Sequence, residues 1–195
     1  PSEIPDIRCF SSPQSGRRLF YSRNTAQQPQ PRLALRVAGQ AVQLRDSVRR
    51  FVATEIAPHV EEWDARGHFP VHIVPKMGEL GLFGLDAPEE LGGAGLEEGG
   101  FTYLCVAIEE LGRVDQAMGI TLEAGVGLGI NPILTYGSQE QKERWLPDLL
   151  AGKALAGFGL TEPEAGSDAG ATRTRARLEG GEWVVNGAKS FITNS

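Results

Sequence analysis

The apolar residues of this chain change their spacing once, near Gly152, and that change limits the possible folds more than any other feature. From about Arg36 to Gly152 they recur every three or four positions, the repeat of an α-helix; beyond Gly152 they alternate, the repeat of a β-strand. Val48, Phe51, Val52 and Ile56 share one helix face, with Asp46 placed to cap its start and Pro58 to close it. His72 to Leu80 forms a second, short helix with Ile73, Met77 and Leu80 on one side and Gly81 as its stop. Residues 101–111 form another, carrying Leu104, Cys105, Ile108 and Leu111 inward. Residues 116–136 read as a buried helical stretch interrupted by Gly119, Gly125, Gly127 and Gly129. Each glycine there costs about 1 kcal/mol against alanine, so their density implies close approach of another backbone or a ligand. Ser138 and Gln141 have capping-box spacing ahead of a face built from Trp145, Leu146, Leu149 and Leu150.

After Gly152, residues 171–178 alternate Thr172, Thr174, Ala176 and Leu178 against Arg173, Arg175 and Arg177, the pattern of a half-exposed strand. Gly180-Gly181 turns the chain back through 182–185. Asn186-Gly187 suits a type I′ turn into a third strand over 189–194, so a β-meander is expected. Residues 1–34 stand apart, with five prolines, five arginines and no apolar stripe. They read as a disordered leader, because so little apolar surface cannot offset the entropy of ordering. An Arg- and Ser-rich transit segment is the alternative, against which Glu3 and Asp6 weigh. The location would then be the mitochondrial matrix in a eukaryote and the cytoplasm in a bacterium.

Composition removes several classes. A formal net charge of −6 disfavours binding to nucleic acid or an anionic membrane. Two cysteines exclude a disulfide scaffold or a thiolate metal centre. His68 and His72 have metal-like spacing, yet Pro70 between them breaks a shared helix, and no metal site is expected. The longest uncharged apolar run, 124–136, falls short of the ~18 residues of a membrane span.

The chemistry points to two segments. Gly159-Leu-Thr-Glu-Pro-Glu-Ala-Gly-Ser-Asp168 reads as a strand ending in a turn whose N–H and hydroxyl groups suit a polar planar or phosphorylated ligand, although a plain polar turn has the same composition. Alternation over 189–194 puts Lys189, Phe191 and Thr193 on one strand face, where a ring and a hydroxyl would offer a stacking surface and a donor. With Asn186-Gly-Ala-Lys189, Phe191-Ile-Thr-Asn194, the 87–96 loop and 136–147, the 159–168 signature closely resembles the acyl-CoA dehydrogenase family. The resemblance covers roughly residues 36–195 and leaves out 1–34.

That resemblance implies an α+β flavoprotein. An N-terminal all-α helical domain, here 35–155, is followed by an antiparallel, β-barrel-like middle domain that begins at 156–195, and a C-terminal helical bundle lies beyond this chain. FAD binds between the middle domain and the bundle. Carried over by position, Phe158, Leu160 and Thr161 line the flavin ring, and Gly166 and Ser167 meet FAD, with Ser167 also beside the acyl-CoA channel. Phe191 packs on the ring, where many members have Trp, and Thr193 hydrogen-bonds flavin N5. Tyr is common in the family where Phe158 stands, so no phenolic contact is carried over. Such donors stabilise charge developing on the ring. The implied reaction converts an acyl-CoA to a trans-2-enoyl-CoA and passes electrons to an electron-transfer flavoprotein. Its catalytic glutamate is expected beyond residue 195, in a homotetramer or homodimer; Glu162 and Glu164 belong to the signature turn and are not that base. On this reading the chain is a piece of an enzyme and does not complete the reaction alone. Electron transfer to oxygen, as in an acyl-CoA oxidase, and a non-catalytic helical binding or assembly module are the alternatives.

The remaining features have plainer readings. Cys105 reads as a small core residue, and Glu61-Glu62 and Glu109-Glu110 as solvated helix faces. Arg173, Arg175 and Arg177 read as an exposed strand face, with CoA phosphates as their alternative partner.

Overall fold

A computed structural model describes the chain over residues 31–96 and 99–195, with side chains from residue 39 onward. The expected leader lies outside these residues, except that 31–34 open the first helix. Helix α1 runs Pro31–Phe51, continues as one π-helical turn over Val52–Ile56, and stops before Pro58, which has no N–H to extend it. Asp46 does not cap this helix. It sits inside α1, where Arg45 donates to it at 2.7 Å. The helix starts earlier because proline is tolerated in a first turn and nothing between Pro31 and Asp46 breaks a helix.

Six further α-helices follow: α2 (Val60–Arg66), α3 (Ile73–Glu79), α4 (Gly100–Gly112), α5 (Gln116–Glu123), α6 (Asn131–Tyr136) and α7 (Gln139–Leu150). A π-helical stretch, Ala124–Ile130, joins α5 to α6 without a break. The core is assembled from stripes of α1 and its π-helical turn, α3, α4, α5 and α7: Val48, Ile56, Met77, Leu111, Leu122 and Leu146 are all sealed from solvent. Ser138 starts α7 through the expected capping box, its Oγ accepting from the Gln141 N–H at 3.2 Å while Gln141 Oε1 accepts from the Ser138 N–H at 2.9 Å. Leu146, Leu149 and Leu150 turn inward as expected, whereas Trp145 and Leu80 are partly in water.

Helix α4 is rotated from its expected setting. Its buried face is Tyr103, Leu104, Ala107, Glu110 and Leu111, and Cys105 is exposed. The cause is a charge. Glu110 is 5% exposed and takes a two-pronged bond from Arg49 of α1 at 2.9 and 2.7 Å, with Arg113 at 3.3 Å. Arg49 first, and Arg113 behind it, hold the Glu110 carboxyl below its usual range against the cost of burial. Tyr103 adds a second tie between the same helices, donating to Gln40 Oε1 at 2.8 Å. Glu110 is thus a helix-docking residue and not part of a solvated face.

Gln116–Tyr136 is long and apolar enough, by length and composition, to cross a membrane once Glu123 is tolerated, and half of it is buried within the helical core. Its glycines admit close neighbours as expected. A Cβ on Gly119 would stand 3.3 Å from Gly112 Cα, one on Gly125 3.2 Å from the Phe83 ring, and one on Gly129 would overlap Ala156.

The β structure is smaller than a meander. Strands β1 (Arg175–Glu179) and β2 (Glu182–Asn186) form a single antiparallel hairpin with Leu178 opposite Trp183. Gly180 and Gly181, at φ +62° and +89°, make its turn. Residues 171–174 lie ahead of β1: Ala169–Ala171 is a 3₁₀ turn. No third strand forms among the described residues. Gly187 does not take the positive φ of a type I′ turn; it lets the backbone cross Thr174, whose Cβ would lie 2.6 Å from a Cβ on Gly187.

Two glycines in helices give opposite predictions. In α3, a Cβ on Gly78 would overlap the Ala151 carbonyl, so Gly78→Ala is expected to lose on the order of 1–3 kcal/mol by overpacking, which outweighs a helix-propensity gain of about 1 kcal/mol. In α1, Gly39 has nothing within 4 Å, and Gly39→Ala is expected to gain about 0.5–1 kcal/mol. Urea unfolding followed by far-UV circular dichroism measures both; the same sign for the two variants would contradict this packing.

Candidate functional site

Between α7 and β1 the chain is irregular, and the signature segment 159–168 is a loop where a strand end was expected. Its one ladder-like feature is a tight pairing of Glu162 and Ala165, whose N–H groups each donate to the other's carbonyl at 3.0 and 3.2 Å. The segment 189–195 folds back along it. Ser190 N–H donates to Thr161 O at 2.9 Å, and Lys189 Nζ donates to Leu160 O at 3.0 Å. Asn194 Nδ2 reaches Ala156 O at 3.3 Å and Thr121 O of α5 at 3.4 Å. Gly157 permits the approach, since a Cβ there would meet Thr193 O at 3.2 Å.

This return path explains the missing third strand. Phe191 and Asn194 adopt φ of +58° and +66°, which no strand tolerates, and the one backbone bond of 189–195 among the described residues goes from Ser190 to Thr161 and not to β2. Lys189, Phe191 and Thr193 therefore do not share one face. Lys189 turns toward Leu160 and Glu162, while the Phe191 ring is 95% exposed.

Of the residues expected at the site, Phe158, Leu160 and Thr161 are brought beside the segment carrying Phe191 and Thr193 by the Ser190–Thr161 bond. Phe158 and Leu160 are about half exposed, and Thr193 is exposed. Gly166 and Ser167 lie on the exposed loop after the tight pair and make no hydrogen bond to 189–194 among the described residues. The N–H groups of Thr161, Gly166 and Ser167 donate to no protein acceptor among the described residues. Donors on two neighbouring segments beside exposed rings suit a flat, acceptor-rich ligand bearing phosphate, and the residues present fit a flavin nucleotide.

The residue that sequence reading passed over is Glu162. It is 6% exposed and accepts from Arg173 N–H at 2.6 Å, Thr174 N–H at 2.9 Å and Lys189 Nζ at 2.9 Å. The Thr174 hydroxyl also lies against it, without strict hydrogen-bond geometry. This hydroxyl, the Arg173 N–H, the Lys189 ammonium and the Thr174 N–H, in that order, hold the carboxyl down to about 2. No local spacing announces such a residue, because its partners are 11 to 27 positions away.

Glu164 is exposed and pairs with Arg173 at 3.6 Å, and β1 is exposed along its whole length. No group of three potential metal ligands exists among the described residues. His72 instead meets the Trp63 ring edge-on at 5.9 Å, and His59 stacks on that ring at 5.4 Å.

Comparison with known proteins places these segments. Residues 40–153 match the acyl-CoA dehydrogenase N-terminal domain, and residues 157–195 match the acyl-CoA dehydrogenase middle domain. The chain belongs to the acyl-CoA dehydrogenase family. It is 47% identical over 152 residues to a probable acyl-CoA dehydrogenase, YngJ, of Bacillus subtilis, covering 78% of this chain and 39% of that protein. A solved glutaryl-coenzyme A dehydrogenase in its glutaryl-CoA complex superposes with a TM-score of 0.75 at 40% identity, covering 78% of this chain and 39% of that one. An acyl-CoA dehydrogenase complexed with FAD from Bacillus anthracis gives a TM-score of 0.71 at 38% identity, covering 80% of this chain and 27% of that one. The chain thus spans at most about two fifths of the length of these relatives.

The low folded pKa of Glu162 fixes a pH dependence. A lowered carboxyl contributes stability that is fully present above its ordinary value of 4.5 and is lost as pH falls from there through about 2. Acid titration of the protein should therefore show an unfolding limb in that window, and Glu162→Gln should flatten it. An unchanged limb in the variant would mean that the carboxylate is not held in this way.

Proposed function

We propose that the protein built on this chain binds FAD and dehydrogenates an acyl-CoA thioester to the trans-2-enoyl-CoA, passing the electrons to an electron-transfer flavoprotein. The observation that carries this reading is the Ser190–Thr161 bond, which sets the segment bearing Phe191 and Thr193 beside Phe158, Leu160 and Thr161. Bound FAD would supply the two-electron acceptor that no side chain here provides.

The chain's own residues hold and shape the site. The Thr161 and Thr193 hydroxyls and the Thr161 N–H offer donors to the ring, and Phe191 and Leu160 cover it from water. Gly166 and Ser167 present N–H groups and a hydroxyl to the phosphorylated part of the cofactor, with Ser167 nearest the substrate channel. Donors fixed before the reaction need not reorganise during it, which is how they favour charge on an acceptor.

Neither loop carboxylate suits proton abstraction. Glu162 is held ionised by its donors and keeps a proton poorly, at about 2, and exposed Glu164 is paired with Arg173. The general base is accordingly neither Glu162 nor Glu164.

The whole protein should purify yellow and lose its colour when given acyl-CoA without oxygen. Thr193→Val should slow that bleaching roughly tenfold to a hundredfold with the fold intact, since a donor to a charged acceptor is worth about 1.5–3 kcal/mol. Unchanged kinetics would remove Thr193 from this role. Rapid hydrogen peroxide formation in air without an added acceptor would replace the dehydrogenase reading by an oxidase.

A further inference from the structure

The Glu162 carboxylate ties the 173–174 backbone to the Lys189 side chain. Its Oε2 takes the Arg173 N–H and its Oε1 the Thr174 N–H, which closes the 163–172 loop at its far end. The same Oε1 takes Lys189 Nζ, and Lys189 in turn donates to Leu160 O at 3.0 Å. Within 163–172 itself, backbone bonding among the described residues is confined to the Ala165 partner of Glu162 and to Ala171 donating to Asp168. The exposed ion pair of Glu164 with Arg173, at 3.6 Å, adds little. Beside the Ser190–Thr161 and Glu162–Ala165 backbone bonds, one buried side chain therefore ties the far end of the loop carrying Gly166 and Ser167 to the start of the segment entering Phe191.

We propose that Glu162, with Lys189, is a positioning residue for cofactor binding: a clamp that fixes the 163–172 loop and the 189–193 segment relative to each other so that both meet FAD. This rests on the reading that these segments bind FAD. The clamp acts through backbone atoms and not by touching the ligand. A carboxylate is required because it offers acceptors only. The amide of glutamine would turn two N–H donors toward one of the incoming donors and leave the Lys189 ammonium without its anion.

The test titrates apoprotein, prepared from the whole FAD-loaded protein, with FAD and follows quenching of flavin fluorescence and the visible absorption band. Glu162→Gln should raise the Kd about tenfold or more and shift the bound band toward that of flavin in water. Lys189→Met should raise the Kd by a smaller factor, and the double variant should bind no worse than Glu162→Gln, because coupled partners are not additive. If Glu162→Gln does not fold, Lys189→Met alone decides, through its Kd and its band. Parent protein that takes up no FAD would overturn both the functional reading and the clamp. Parent protein that binds FAD, with Glu162→Gln within twofold of it, would overturn the clamp and leave the functional reading standing. A raised Kd with an unshifted band and an equal fall in the apoprotein's urea midpoint would reduce Glu162 to general stabilisation and overturn the proposal as well.

Discussion

A buried carboxylate with donors from three directions organises everything after the helical core. Apolar packing cannot do this work, since both strands are exposed along their length and Phe158, Leu160 and Phe191 face water. What remains is hydrogen bonding to groups that would otherwise be orphaned. Glu162 gathers Arg173, Thr174 and Lys189, and Ser190 and Asn194 complete the seam against Thr161, Ala156 and Thr121. Bonds to a charged acceptor are roughly twice as strong as neutral ones, so an ionised Glu162 can hold a loop that has no core of its own.

The helical unit solves the opposite problem, joining faces that are already apolar. Its glycines let backbones approach where side chains would hold them apart, as at Gly78 against Ala151 and Gly129 against Ala156. Among the described residues its one deeply buried acid, Glu110, is placed where Arg49 crosses from α1, and this pair sets how α4 is turned. Packing alone would have accepted Cys105 on the inner face. The cost of an unpaired buried charge would not have accepted Glu110 there without Arg49.

What was legible in the sequence follows from this contrast. The helical stretches, the capping box at Ser138 and the Gly180-Gly181 turn were readable because their causes are local: period, cap and positive φ. The rotation of α4 and the fate of 189–194 were not, because each depends on a partner far along the chain. Asp46 had the composition of a cap but lay inside a longer helix. Phe191-Ile-Thr-Asn194 had the alternation of a strand, but Phe191 and Asn194 take positive φ and the Asn194 side chain bonds to Ala156 and Thr121. The proposed site residues came only from a family signature. The structure adds that Thr161 and the segment of Thr193 are neighbours, and adds Glu162, for which the signature carried no role.

Phe191 shows how far the local terms can be overruled. A bulky residue at φ +58° is strained by about 1–3 kcal/mol, and a phenyl ring left in water forgoes about 1.5–3 kcal/mol of burial. Neither the backbone preference nor the packing of this chain accounts for its placement. The anchors on either side impose it: Ser190 is tied to Thr161, and Asn194 to Ala156 and Thr121, which leaves the residues between them to bridge a fixed gap. A ring presented in this way recovers its burial only against another surface, and its segment is tied beside Thr161, whose N–H meets no protein acceptor among the described residues. Strain, exposure and available donors thus coincide at one place. A flat heterocycle with acceptors on its edge would satisfy all three at once, which is the physical support for the proposed flavin position.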